Sequence, residues 1–316
     1  MASTRFIKDA GLTARMTLVM FLLGGLFVAL IVGLMYAFQG IAFFIGIAGL
    51  GVAFYQWYNS DKMALRAMRA REVAPHEAPE LHGMIDRLCA LADMPKPRVA
   101  ISYTDMPNAF ATGRSPSRSA VCVTTGIMDK LTTEELEGVL AHELSHVAHR
   151  DVLVMTLASS AGIIAGMITQ GAQFGGLGML GRSRNNNNGG GAAGLVIALV
   201  VALVVYAISF FLVRLLSRYR ELCADRSGAY LTQKPSALAS ALTKITGEIA
   251  SIPNRDLRSA KTMNAFFIAP AISGASLKTL TATHPSLEER LEQLAKVATE
   301  LGRPMDGGFP TPGLGQ

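Results

Sequence analysis

The sequence predicts a mainly α, integral membrane fold, with four transmembrane helices carrying an α+β domain on the cytoplasmic side. Three observations predict it. Half of the 316 residues are hydrophobic and only 16% are charged, a balance far from that of ordinary water-soluble domains. Four apolar stretches are long enough to cross roughly 30 Å of hydrocarbon as helices. Two stretches of ordinary mixed composition, residues 59–151 and 217–302, alternate with the apolar pairs and carry nearly all the chemistry-bearing motifs.

The first two spans are residues 16–38 and 41–58, both without charge. The link between them, "QG", permits only a tight hairpin. The first is no cleavable signal peptide, because its apolar region is too long and a second span follows at once. The third span, residues 152–180, is uncharged and carries Gly162-x-x-x-Gly166 and Gly171-x-x-x-Gly175. Small residues at that spacing let helices approach closely. So many glycines also weaken a helix, which leaves a full span and a broken one both open. The fourth, residues 192–216, is centred on "LVIALVVALVVYAISFFLV".

Charge orients the spans. Arg5, Lys8 and Arg15 precede the first, and Lys62, Arg66, Arg69 and Arg71 follow the second. Arg150 precedes the third, and Arg214, Arg218 and Arg220 close the fourth; only Arg182 and Arg184, in the loop "GRSRNNNNGGG", oppose them. The positive-inside rule then puts both termini and both mixed segments in the cytoplasm. It also accounts for the net charge of +6, so nucleic acid is not an expected partner; the lipid bilayer is. Cys89, Cys122 and Cys223 have no paired spacing, which fits a reducing compartment rather than a disulfide framework.

In the first mixed segment, "APELHGMIDRLCALADM" reads as an amphipathic helix. "RVAISY" and "SAVCVTTG" read as short strands on either side of the turn-rich "TDMPNAFATGRSPSR". A helix follows in "LTTEELEGVLAHELSHVAHRD". The second mixed segment is mostly helical, and residues 303–316 read as a disordered tail. There is no internal repeat.

The helix with the histidines opens on a capping box, Thr132 with Glu135 three residues on. At 100° per residue, Leu136, Leu140, Leu144 and Val147 form one stripe for a core. His142 and His146 stand one turn apart on another face. Two imidazoles so held suit two tetrahedral positions around zinc. Glu143 points to the flank, where it reaches a water on the metal without ligating the metal itself, the place for a general base. The alternative is a surface helix with solvated histidines; the apolar flanks and the cap argue against it. His149 lies about 10 Å along the axis from His142, too far to share one ion, and reads as a polar residue at the membrane boundary.

A third ligand is sought in "SRYRELCADRSGAY", where Glu221 and Asp225 lie one turn apart. Glu221 offers a carboxylate, and Asp225 an acceptor for the proton of a ligating imidazole. An ordinary pair of solvated acids is the competing reading. Position favours the ligand. His146 lies six residues before the third span, roughly 9 Å of helical rise, and Glu221 five residues after the fourth, roughly 8 Å. An antiparallel pair of spans would hang both groups at one depth. Cys223 falls on the opposite side of that helix and is not expected to ligate.

HELSH followed by two spans and a Glu-x-x-x-Asp helix resembles the M48 family of integral-membrane metallopeptidases. "NAFATG", "SRYRELCADRSGAY" and "THPSLEER" are similar to its HtpX-like branch, over nearly the whole chain to about residue 298. The resemblance implies a zincin-like (gluzincin) catalytic domain with one zinc per chain, held by His142, His146 and Glu221. It implies Glu143 as the catalytic acid/base, Asp225 orienting a ligand, and quality control of damaged membrane proteins under stress in the bacterial inner membrane.

His284 in "THPSLEER" is expected to donate to the oxyanion of the tetrahedral intermediate, or else merely to lead into a helix before a proline. Asn108 and Ala109 belong either to an edge strand that pairs with substrate backbone or to a turn. Arg290 reads as a solvated helix charge rather than the partner of a site carboxylate. Two other functions stay open at this stage: a processing peptidase for one dedicated substrate, and a membrane scaffold without turnover. The intact Glu143 argues against the scaffold.

Overall fold

The computed structural model describes residues 10–37, 41–156, 158, 190–251 and 284–303. Over the described residues the chain forms two compact units, one of Met1–Thr13, Tyr58–Leu153 and Ser217–Gln316, the other of Ala14–Trp57 and Val154–Leu216.

The second unit is built from apolar helices: α1 (Ala10–Ala37), α2 (Ile41–Tyr58) and the first half of a long helix whose second half belongs to the other unit. Helix α1 begins six residues ahead of its apolar run, because nothing in "AGLTAR" breaks a helix. Large apolar side chains on all three helices are exposed. Phe21 is 77% exposed, and Val28, Phe44, Phe54, Leu203 and Phe211 are likewise open. A continuous apolar exterior of this kind marks a surface made for lipid or for another protein. Within the described residues, Leu199–Thr232 is long and apolar enough to cross a membrane, and Ala14–Leu30 is a shorter apolar helix. The expected third span is helical at residues 152–156 and 158; residues 157, 159–189 and 304–316, which hold the rest of it and most of the Asn/Gly-rich loop, lie outside the described residues.

The first unit is mixed. Its sheet has the order β1-β2-β4-β3, from β1 (Arg71–Glu72), β2 (Arg98–Ser102), β3 (Ala109–Ser115) and β4 (Arg118–Thr124). β2 and β4 run parallel and the other pairs antiparallel. In β4, successive side chains go to opposite faces. Ala120 and Cys122 join Leu65 and Met68 beneath α3 (Ser60–Ala67), whereas Val121 and Val123 join the main core. That core is filled by Leu81, Ile85 and Leu88 of α4 (Pro79–Ala92), Ile127 of α5 (Thr125–Lys130) and Leu140 and Leu144 of α6 (Thr133–Ala148).

Two elements depart from the sequence reading. The segment read as turn-rich contains the edge strand β3. Its "ATGRS" lacks the apolar alternation of a central strand, which an edge strand with one open side does not need. The fourth span does not end at residue 216 either. It continues without a break as α7 (Gly190–Thr232), one helix of 43 residues, about 65 Å long. "RLLSRYRELCADR" contains no Gly or Pro to stop it.

Helices α8 (Pro235–Ser251) and α9 (Leu287–Glu300) close the unit. α9 starts on a full capping box, Ser286 with Glu289. One glycine sets the crossing that matters most. A Cβ on Gly228 of α7 would lie 2.8 Å from the backbone nitrogen of His142, so only glycine lets α7 lie this close to α6.

Candidate metal centre

Helix α6 carries the first two donors. Its capping box is formed in full, Thr132 and Glu135 each bonding the other's backbone, and Leu136, Leu140 and Leu144 anchor it in the core. The face left over presents His142 and His146. Their Nε2 atoms lie 3.2 Å apart. From α7, Glu221 places one carboxylate oxygen 3.4 Å from His146 Nε2 and the other 3.8 Å from His142 Nε2. With one donor atom taken from each residue, the three lie within 4.8 Å of one another, a spacing compatible with the edges of about 3.3 Å that a zinc tetrahedron has. Among the described residues they form the one group able to hold a metal ion. Cys223 is not part of it.

Protons on the imidazoles are placed by their neighbours. His142 Nδ1 lies 2.9 Å from Asp225 Oδ1, and His146 Nδ1 lies 2.6 Å from Asp151 Oδ2. A carboxylate at Nδ1 fixes the proton there and leaves the Nε2 lone pair for a metal. Burial lowers the pKa of His142, against the pull of Asp225, and so favours the neutral ring. Two Nε2 lone pairs facing each other repel unless a cation lies between them. The donor set therefore fits a metal ion.

The surrounding charges are matched. Arg290, 2% exposed, bonds Asp225 through two nitrogens, at 2.7 and 2.6 Å. Burial works to raise the Asp225 pKa, but Arg290 and the bond to His142 bring it below the ordinary range. Arg290 is thus a buried partner of a site carboxylate, not a solvated helix charge. His284 Nδ1 lies 3.1 Å from Glu221 Oε2. Burial opposes the Glu221 charge as well, and His284 and His146 overcome it, holding its pKa well below the ordinary value.

Glu143 is buried, and one of its oxygens accepts the Ala111 N–H at 2.9 Å. Burial raises its pKa to about 7; a divalent ion on the triad acts in the opposite direction. Ala111 belongs to β3. The Asn108 carbonyl accepts from Thr124 N–H, so antiparallel alternation turns the amides of Ala109, Ala111 and Gly113 away from β4. Asn108, fully buried, is tied into the sheet just ahead of β3, and Ala109 is the first residue of the strand.

Residues 75–298 match Peptidase family M48. The chain is 51% identical to Protease HtpX homolog 1 of Streptomyces coelicolor, over 98% of this chain and 99% of that one. The chain belongs to peptidase family M48. This M48 peptidase is also 52% identical to Protease HtpX homolog of Moorella thermoacetica, over 93% of its own length and 97% of the relative's. Its fold resembles that of Ste24p from S. mikatae, with a TM-score of 0.52 at 16% identity, covering 89% of this chain and 65% of the other. Membership makes it a metalloprotease. Sequence reasoning had passed over three groups of this M48 peptidase that touch the site: Ala111, Asp151 and Arg220. The signal for Ala111 was present, since it lies two residues from Ala109 and shares its strand edge.

Proposed function

We propose that the chain is a membrane-bound, zinc-dependent endopeptidase that hydrolyses peptide bonds of unfolded or damaged membrane proteins at the cytoplasmic face. The observation that supports it most is the convergence of His142 Nε2, His146 Nε2 and a Glu221 oxygen within 4.8 Å, with a buried carboxylate, Glu143, next along the helix. The outward-facing apolar side chains of α1, α2 and α7 support the membrane setting. The asymmetric Lys and Arg supports the cytoplasmic face. The family resemblance supports a part in quality control.

In this reading His142, His146 and Glu221 hold the zinc. When bound, zinc supplies Lewis acidity, which acidifies a water and polarises the scissile carbonyl. Glu143 keeps one oxygen on the Ala111 amide, and its other oxygen takes the proton from the attacking water and returns it to the leaving amine. The outward amides of β3 that Glu143 leaves open, those of Ala109 and Gly113, receive the substrate backbone as an added strand. Asp225 holds the proton of His142 at Nδ1. His284, with Nδ1 at the Glu221 carboxylate, is read as the oxyanion donor.

Metal-free protein purified in detergent is expected to cleave an unfolded casein-like substrate only after zinc is added. Glu143→Gln is expected to bind zinc as well as the wild type but to cleave slower by roughly 10²-fold or more. Near wild-type cleavage by that variant overturns the role of Glu143. For orientation, a cysteine at Asn186 should react with an impermeant thiol reagent on intact cells while one at Ser259 should not. The reverse pattern moves the site across the membrane.

A further inference from the structure

Helix α6 does not run straight on into the helical residues that follow. It ends at His149, and Arg150 then adopts φ 56°. That left-handed conformation is unfavourable for an arginine and persists only where the surroundings demand it. What the reversal achieves is the placement of Asp151. The Asp151 carboxylate turns back so that one oxygen lies 2.6 Å from His146 Nδ1, and the other pairs with Arg220. Both side chains are buried, Arg220 to 4% exposure. Arg220 directly precedes Glu221 in α7.

We propose that Asp151 is a positioning residue for the metal centre. It holds the proton of His146 on Nδ1, aiming Nε2 at the ion. Its ion pair with Arg220 ties this carboxylate to the turn of α7 that delivers Glu221. The arrangement repeats the Arg290–Asp225–His142 series on the other imidazole, with the carboxylate now coming from just past α6 and the arginine from α7. The proposal rests on the zinc triad, so wild-type zinc content is measured first; a wild type that takes up no zinc sinks the triad itself.

The competing role is a purely structural ion pair between α6 and α7, and two substitutions separate them. Asp151→Ala and Asp151→Asn both strip Arg220 of its counter-charge, but the asparagine keeps an oxygen for the Nδ1–H. In full-length protein, chelator competition is expected to give roughly 10- to 100-fold weaker zinc binding for Asp151→Ala. Asp151→Asn should lie closer to wild type and retain the wild-type absorption spectrum of the cobalt-loaded enzyme. The zinc-free forms of both should unfold at similar temperatures. Repeating the pair in an Arg220→Met background removes the unpaired guanidinium and preserves the comparison should Asp151→Ala alone not fold. Equal zinc affinity for the Ala and Asn variants, or wild-type affinity for the Ala variant, overturns the proposal.

Discussion

The two imidazoles of the centre offer the same atom to the same point, yet they are supported differently. On the His142 side everything is interior: the ring is 1% exposed, Asp225 is fully buried, and Arg290 grips Asp225 with two nitrogens. On the His146 side the ring is 17% exposed, and its carboxylate comes from a strained turn just past the helix end. Interior ion pairs are costly to break from one side, because the charge left behind cannot reach water. The His142 side is thus the fixed reference of the site, and the His146 side is the one with the more exposed ring.

Glu221 belongs to both sides, and its loss should do the most damage. Glu221→Gln is expected to lower bound zinc by more than the 10- to 100-fold typical of a supporting group, since two imidazoles on one helix hold zinc weakly. His284→Ala should keep its zinc. Mass spectrometry after identical dialysis decides; zinc retained by the first variant and lost by the second makes His284 the third ligand.

Asp225→Asn tests the fixed side. It removes the carboxylate that Arg290 grips with two nitrogens and leaves that arginine the more distant Glu221, at 3.7 Å. The loss is up to about 3–5 kcal/mol, and zinc binding weakens by roughly 10- to 100-fold. Denaturant unfolding of the zinc-free protein reads the first effect separately. Little loss of stability would erase the contrast between the two sides.

Gly228→Ala should have the smallest effect and sharpen the comparison furthest. The added methyl meets backbone at His142, so α7 has to shift, at about 1–3 kcal/mol. The clash is at His142, on the fixed side, although the helix that moves also carries Glu221 and Arg220. Cobalt spectra should change while the Ala111–Glu143 contact and edge-strand pairing persist; an unchanged spectrum would mean that the crossing tolerates the shift.

The sequence made α6 fully legible, because capping, core stripe and ligand spacing are all local to one helix. It also placed Glu221 and Asp225 opposite the histidines through their distances from apolar runs. Arg290 and Asp151 were not legible. Each is an ordinary charge in its own neighbourhood, and only the packing of α9 and α7 against α6 gives it a buried partner. Strand β3 was only half legible, with Asn108 and Ala109 left open between edge strand and turn, since an edge strand takes its identity from the neighbour it pairs with. The continuity of α7 was obscured by the change from apolar to charged composition at residue 217, which alters the surroundings of a helix without altering its backbone.

The contact between Glu143 and Ala111 has an evolutionary consequence. The group that steadies the Glu143 carboxylate is a peptide N–H, which every residue except proline supplies. The side chain at Ala111 is therefore free to change without removing that donor, whereas its neighbours Phe110 and Thr112 are held by burial.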